Sequence, residues 1–81
     1  MSDDIERDLG EQPITRVMAE HELKPHDLVA ASTQQITHKM VARACKGRRL
    51  TLRIQCKVRD ALNGAAANDY SLDQLFTYQA H

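Results

Sequence analysis

Side chains that can bind an anion or form hydrogen bonds with base edges are concentrated in residues 32–51, with the sequence STQQITHKMVARACKGRRLT. Glutamine carries a donor and an acceptor on one amide and matches the edge of adenine, whereas lysine and arginine favour guanine. Near the start of this stretch lie the candidates for base reading: Gln34, Gln35, His38, Lys39 and Arg43.

The charge of the chain is strongly segregated, although its net value is zero. Residues 28–59 contain eight Lys/Arg and no carboxylate, while residues 1–27 contain eight carboxylates against three basic side chains. An anionic partner requires such a separation, because evenly mixed charge gives no local potential. The alternative explanation of the basic segment is an ordinary solvent-exposed helix face. Such a face normally carries carboxylates among its basic residues, and residues 28–59 contain none. We expect phosphate contacts from five residues, Lys46, Arg48, Arg49, Arg53 and Lys57.

The elements that position these side chains are predicted to be helices. Aromatic content is 4% and tryptophan is absent, which favours an aliphatic helical core over a sheet. Proline suits the first position of a helix, so Pro13 and Pro25 mark two helix starts. The predicted fold is all-α, a compact bundle of five short helices, spanning about 13–22, 25–31, 33–46 and 52–63, with the fifth after residue 71.

Capping residues set the other predicted boundaries. The third helix is predicted to begin at Ser32 or Thr33, because Ser32 and Gln35 have the spacing of a capping box, and to end at Gly47. The segment 63–69, NGAAAND, is predicted to break the fourth helix. The remaining start signals are Thr51 for the fourth helix and Ser71 with Gln74 for the fifth.

Apolar residues recur at helical spacing and predict the core. Its expected members are Ile14, Val17, Met18, Leu28, Val29, Ala31, Ile36, Met40, Val41, Ala44, Ile54, Val58, Ala61, Leu62, Leu72, Leu75 and Phe76. On the third helix this arrangement leaves the polar and basic side chains facing outward.

Two short helices with a tight connection, the second amphipathic with a basic outer face, are typical of a helix-turn-helix unit. From about Pro13 to Tyr78 the chain resembles the lambda-repressor-like, Cro-type helix-turn-helix domain in the stretches LKPHDLVAAS, ITHKMVARACKG, LRIQCKVRDALN and YSLDQLF. The resemblance implies a five-helix domain that binds specific DNA sequences, often as a dimer, without catalysis. The chain departs from the family at Pro25, where a glutamine is common, and in a turn that lacks glycine and is about two residues longer.

We therefore expect a flexible acidic arm over residues 1–12 and a helix-turn-helix DNA-binding domain over 13–79. The predicted function is that of a small sequence-specific double-stranded DNA-binding protein, a transcriptional regulator that places helix 33–46 in the major groove. An antitoxin-like or adaptor module of the same fold is the alternative, and a homodimer is left open. The low aromatic content argues against single-stranded RNA, whose recognition depends on base stacking.

Catalysis and cofactor binding are not expected. HExxH is absent, and the spacing of His21 and His26 does not place them on one helical face, so we expect no enzyme, metal or small-molecule ligand. Cys45 and Cys56 are expected to be plain thiols, with one intramolecular disulfide as the alternative. An acidic N-terminus and the lack of a long apolar run predict a cytoplasmic, nucleoid-associated protein without a membrane span.

Overall fold

Five helices make up the regular structure of residues 10–78, which are the residues that the computed structural model describes. They are α1 (Pro13–Glu20), α2 (Pro25–Ala31), α3 (His38–Lys46), α4 (Leu52–Ala66) and α5 (Leu72–Leu75). This part of the chain contains no strand, so the prediction of an all-α fold of five helices is confirmed.

Most helix starts follow the local signals in the sequence. Pro13 and Pro25 occupy first helical positions, as predicted. Thr51 caps α4 by accepting a hydrogen bond from the backbone N–H of Ile54 at 3.3 Å. Ser71 and Gln74 form the predicted capping box of α5, in which the Gln74 side chain accepts from the Ser71 N–H at 2.8 Å.

The predicted break at 63–69 is wrong in its first half, because α4 continues to Ala66. Alanine is the best helix former and offsets the cost of one glycine. Gly64 also faces α2 closely, where an added Cβ would lie 3.7 Å from the carbonyl oxygen of Ala31. The helix ends where Ala67 adopts a left-handed conformation, and Asn63 fixes the following loop through two hydrogen bonds to the backbone of Tyr70.

The core is aliphatic, as predicted, with Phe76 as its buried aromatic side chain among the described residues. Helix α2 packs against α4 and α3, while α1 packs against α5 and α3, so all five helices enclose one cluster. The fully buried large side chains are Ile14, Leu28, Val41, Val58, Leu62 and Leu75. Truncating one of them to alanine removes roughly 2–5 kcal/mol of stability.

The chain on either side of the helices is tied into the fold. Gln12, the last residue of the predicted arm, is 2% exposed, and its backbone N–H donates to the carbonyl of Cys45 at 3.0 Å. Its Oε1 accepts from the N–H of Thr77 at 2.7 Å. Residues 1–9 of the predicted arm lie outside the described residues.

Between residues 10 and 78, none of the helices combines the length and the apolar character needed to cross a bilayer.

Candidate nucleic-acid interface

The helix predicted to read DNA begins at His38, five residues after the predicted start at residue 33. Thr37 is its N-cap, and its Oγ1 accepts from the backbone N–H of Met40 at 3.1 Å. The hydroxyl of Ser32 is used in a local turn, where it accepts from the Gln34 N–H at 3.0 Å and donates to the Gln34 carbonyl at 2.6 Å. The predicted helix start at Ser32 or Thr33 is therefore wrong, because a turn and not a helix end satisfies that hydroxyl.

Two predicted base-reading residues, Gln34 and Gln35, consequently lie in the six-residue connection between α2 and α3 and not on the helix. Both are exposed. The Gln34 Nε2 donates to Oδ2 of Asp60 on α4 at 3.2 Å. Asp60 also forms an ion pair with Arg59, whose Nη2 lies 3.0 Å from Oδ1. The connection is thus tethered to α4 through a carboxylate.

The outer face of α3 brings the other predicted base readers together. At 100° per residue, five positions fall within an arc of about 140° on the side opposite the core. Four of these side chains are exposed and the fifth is a half-buried alanine: His38, Lys39, Arg43, Lys46 and Ala42. Helix α3 carries no carboxylate. The predicted polar and basic face of this helix is confirmed from His38 onward, with Val41 and Ala44 buried on the other side.

The connector after α3 carries the next two predicted phosphate contacts. Gly47 ends the helix with φ of +89°, as its predicted position after the last turn requires. Arg48 is half-buried and Arg49 exposed. The Tyr78 hydroxyl donates to the carbonyl of Arg48 at 3.0 Å and accepts from the Leu50 N–H at 3.1 Å.

Tyr78 also holds the side chain of Arg49. The guanidinium carbon lies 5.6 Å from the centre of the tyrosine ring, within the range of a cation–π interaction. The two remaining predicted phosphate contacts follow on α4, where Arg53 is exposed and Lys57 half-buried. The basic residues that follow α3 along the chain thus come from the connector and from the first two turns of α4.

His26 joins this surface, and sequence analysis missed its position there. Its ring and that of His38 are stacked, with centroids 6.0 Å apart and planes 11° from parallel. Both side chains are exposed, one on the first turn of α2 and the other at the start of α3.

Asp60 and Tyr78 are the other residues of this region that sequence analysis missed. Asp60 is the first carboxylate after residues 28–59, which contain none, and it lies one helical turn beyond Cys56 and Lys57. Its position in the sequence could therefore have indicated that it lies next to the basic region. Tyr78 gave no such signal, because it lies outside any helix and its two hydrogen bonds reach 28 and 30 positions back along the chain.

Other reactive side chains are accounted for elsewhere in the fold. His21 Nε2 lies 2.9 Å from the Tyr70 hydroxyl, and no group of three or more potential metal ligands occurs within residues 10–78. Cys45 and Cys56 are free, half-buried thiols. Burial raises the pKa of Cys45, a hydrogen bond with Thr15 opposes that change, and the nearby charge of Glu11 adds to it.

Comparisons with models of protein families, with curated protein sequences and with solved structures give no match for this chain.

Proposed function

We propose that the protein is a sequence-specific double-stranded DNA-binding protein that regulates transcription in the cytoplasm. In this proposal α2 and α3 form the helix-turn-helix unit of a lambda-repressor-like domain, and α3 enters the major groove. The observation that supports it most is the outer arc of α3, which presents Lys39, Arg43 and Lys46 to solvent without a carboxylate. None of the three takes part in an ion pair with another described residue.

The dimensions of α3 suit this role. A helix with its side chains is about 10–12 Å across, which matches the width of about 12 Å of the major groove, and the nine residues of α3 give it a length of about 13 Å. Residues at the helix N-terminus reach deepest in such a complex, which assigns base reading to His38, Lys39 and Arg43. Because lysine and arginine pair best with guanine, we expect guanine at the positions that they contact.

Gln34 and Gln35 lie in the connection before α3, and this position gives them different roles in the proposal. Gln35 stands two residues before the N-cap, where an exposed side chain is within reach of the base edges or the adjacent phosphate. Gln34 donates to Asp60, so its role is to hold the connection against α4.

In this proposal the phosphates are bound by five basic residues, from the last residue of α3 to the second turn of α4: Lys46, Arg48, Arg49, Arg53 and Lys57. Such contacts give affinity without sequence preference. Five neutralised phosphates give a slope of about −4.5 for log affinity against log salt. A homodimer on a two-fold operator would double that slope, so the slope also reports the number of bound copies.

The test is selection of duplexes from a random pool, followed by salt titrations of the selected duplex, a scrambled duplex, a single strand and an RNA. We expect a selected guanine-containing site and a clear preference for it. Equal, weak binding to all four nucleic acids would overturn the proposal and favour the antitoxin-like or adaptor alternative.

Variants separate the two kinds of contact. Lys39→Ala should cost roughly 1–3 kcal/mol on the selected site and much less on the scrambled one. Arg53→Ala should weaken both duplexes alike and flatten the salt slope by about one. Arg16→Ala is the matched control, because it removes one exposed arginine from α1, outside the proposed surface.

A further inference from the structure

Two histidines from different helices meet on the surface at the junction of α2 and α3. The imidazole rings of His26 and His38 stack with centroids 6.0 Å apart. Both side chains are exposed, so their rings can turn without disturbing the core. Imidazole nitrogen is the ligand that nickel, copper and zinc ions share.

We propose that His26 and His38 form a two-histidine binding site for a divalent transition-metal ion. The site does not depend on DNA binding.

The distance between the rings fits one shared ion. A metal–nitrogen bond of about 2.0–2.1 Å places the ion about 3.2 Å from the centroid of each ring. Two rings on one ion then have centroids about 4.5 Å apart at a 90° angle and about 6.4 Å apart when opposite each other. The observed 6.0 Å lies within these limits.

The ring planes must change on binding. A ring nitrogen donates in the plane of its ring, and two parallel, stacked planes do not meet at a common ion. Coordination therefore breaks the stack and turns at least one ring about its Cβ–Cγ bond. This rotation costs little at an exposed site, since that torsion has broad minima.

The composition of the site defines its class of ligand. Within residues 10–78 these two histidines belong to no larger group of metal ligands, so water completes the coordination shell. Such an open shell excludes a closed structural zinc site of four protein ligands. It suits an exchangeable ion, bound only while both imidazoles are neutral.

Binding would link the two helices across their irregular connection. His26 lies on the first turn of α2, and His38 opens α3 directly after the N-cap Thr37. An ion held by both rings fixes the start of α3 relative to α2, and it stabilises the folded protein by mass action.

The experiment is calorimetric titration of the whole chain with Ni²⁺, in the presence of a phosphine reductant that keeps both thiols reduced. We expect one ion per chain. Because the second imidazole acts at a high effective concentration, His26→Gln and His38→Gln should each weaken binding by about 10²-fold. His21→Gln is the matched control and should leave the affinity unchanged, because the His21 ring contacts the Tyr70 hydroxyl and not the proposed site.

Nuclear magnetic resonance gives a second readout that does not require a variant. Paramagnetic Ni²⁺ should broaden the ring signals of His26 and His38 first, while those of His21 remain sharp. Circular dichroism of each variant checks that the fold is retained. A loss of less than about ten-fold in either variant, or equal broadening of all histidine signals, would overturn the proposal.

Discussion

Gly47 ends α3 at a position where a side chain is unfavourable for two reasons, a positive φ and a collision with a neighbouring backbone segment. The free-energy cost of each can be measured separately. Its φ is +89°, a conformation that costs a non-glycine residue about 1–3 kcal/mol. A Cβ at this position would also collide with the backbone of Gly10. Forcing the two segments apart adds about 1–3 kcal/mol, the usual cost of overpacking.

Gly47→Ala should therefore lower the free energy of unfolding by roughly 2–6 kcal/mol, which corresponds to a fall of at least about 8 °C in Tm for a domain of this size. Thermal unfolding followed by circular dichroism, together with urea titration, measures this loss.

Gly10 provides the matched control. Its φ is +102°, but an added Cβ meets no atom within 4 Å, so Gly10→Ala carries the conformational cost alone. We expect a loss of about 1–3 kcal/mol, or about 4–24 °C. Gly64→Ala should raise stability by about 0.5–1 kcal/mol, since that residue is helical and its Cβ would make ordinary contacts. Equal losses for Gly10→Ala and Gly47→Ala would refute the collision, leaving only the backbone term.

Three further predictions follow from individual contacts. Gln55 is 2% exposed and its Nε2 has no partner within residues 10–78, so Gln55→Met should stabilise the fold by about 1 kcal/mol in urea unfolding. Thr37→Ala removes the cap of α3 and should cost about 1 kcal/mol, whereas Ser32→Ala, which removes a hydroxyl that caps no helix N-terminus, should cost clearly less; equal losses would contradict the observed cap. Because burial raises the pKa of Cys45, its thiolate fraction near pH 8 is below that of a free thiol, so alkylation followed by mass spectrometry should be slower than for a small thiol and should accelerate only at higher pH.

The sequence was most informative where one local signal met no competitor. Pro25 and the apolar Leu28 defined α2 with the bounds that the structure shows. The capping box of Ser71 and Gln74 defined α5 in the same way. For both helices, local hydrogen bonding and core packing favour the same first residue, so tertiary contacts did not change the helix start that the sequence predicts.

The start of α3 was harder to predict because three hydroxyl residues, Ser32, Thr33 and Thr37, could cap it. The decisive signal was apolar: Ile36 precedes Thr37, Val41 lies four residues after it, and both are buried. This is the spacing of a hydrophobic staple, which selects Thr37 over Ser32. Ile36 was correctly assigned to the core, but as a helical residue and not as the residue before the cap.

The candidate surface likewise contains residues that the sequence could predict and residues that it could not. Its basic residues on α3 were predictable from helical periodicity, because a 100° rotation fixes which side chains share a face. The contacts made by His26, Asp60 and Tyr78 were not, since each joins segments distant in sequence. Leu75 and Phe76 are buried in the core of the single chain, as predicted, so neither side chain is available for contact with a second copy.

The hydrogen bond between Gln12 and Thr77 spans 65 positions, nearly the whole described chain. A contact of that sequence separation closes a loop through all five helices of residues 10–78, and closing it costs more conformational entropy than any turn between neighbouring helices. During synthesis the flank of α1 can find this partner only after residue 77 has left the ribosome. The residue that precedes α1 therefore reaches its final hydrogen bonds only when the C-terminal part of the described chain is present.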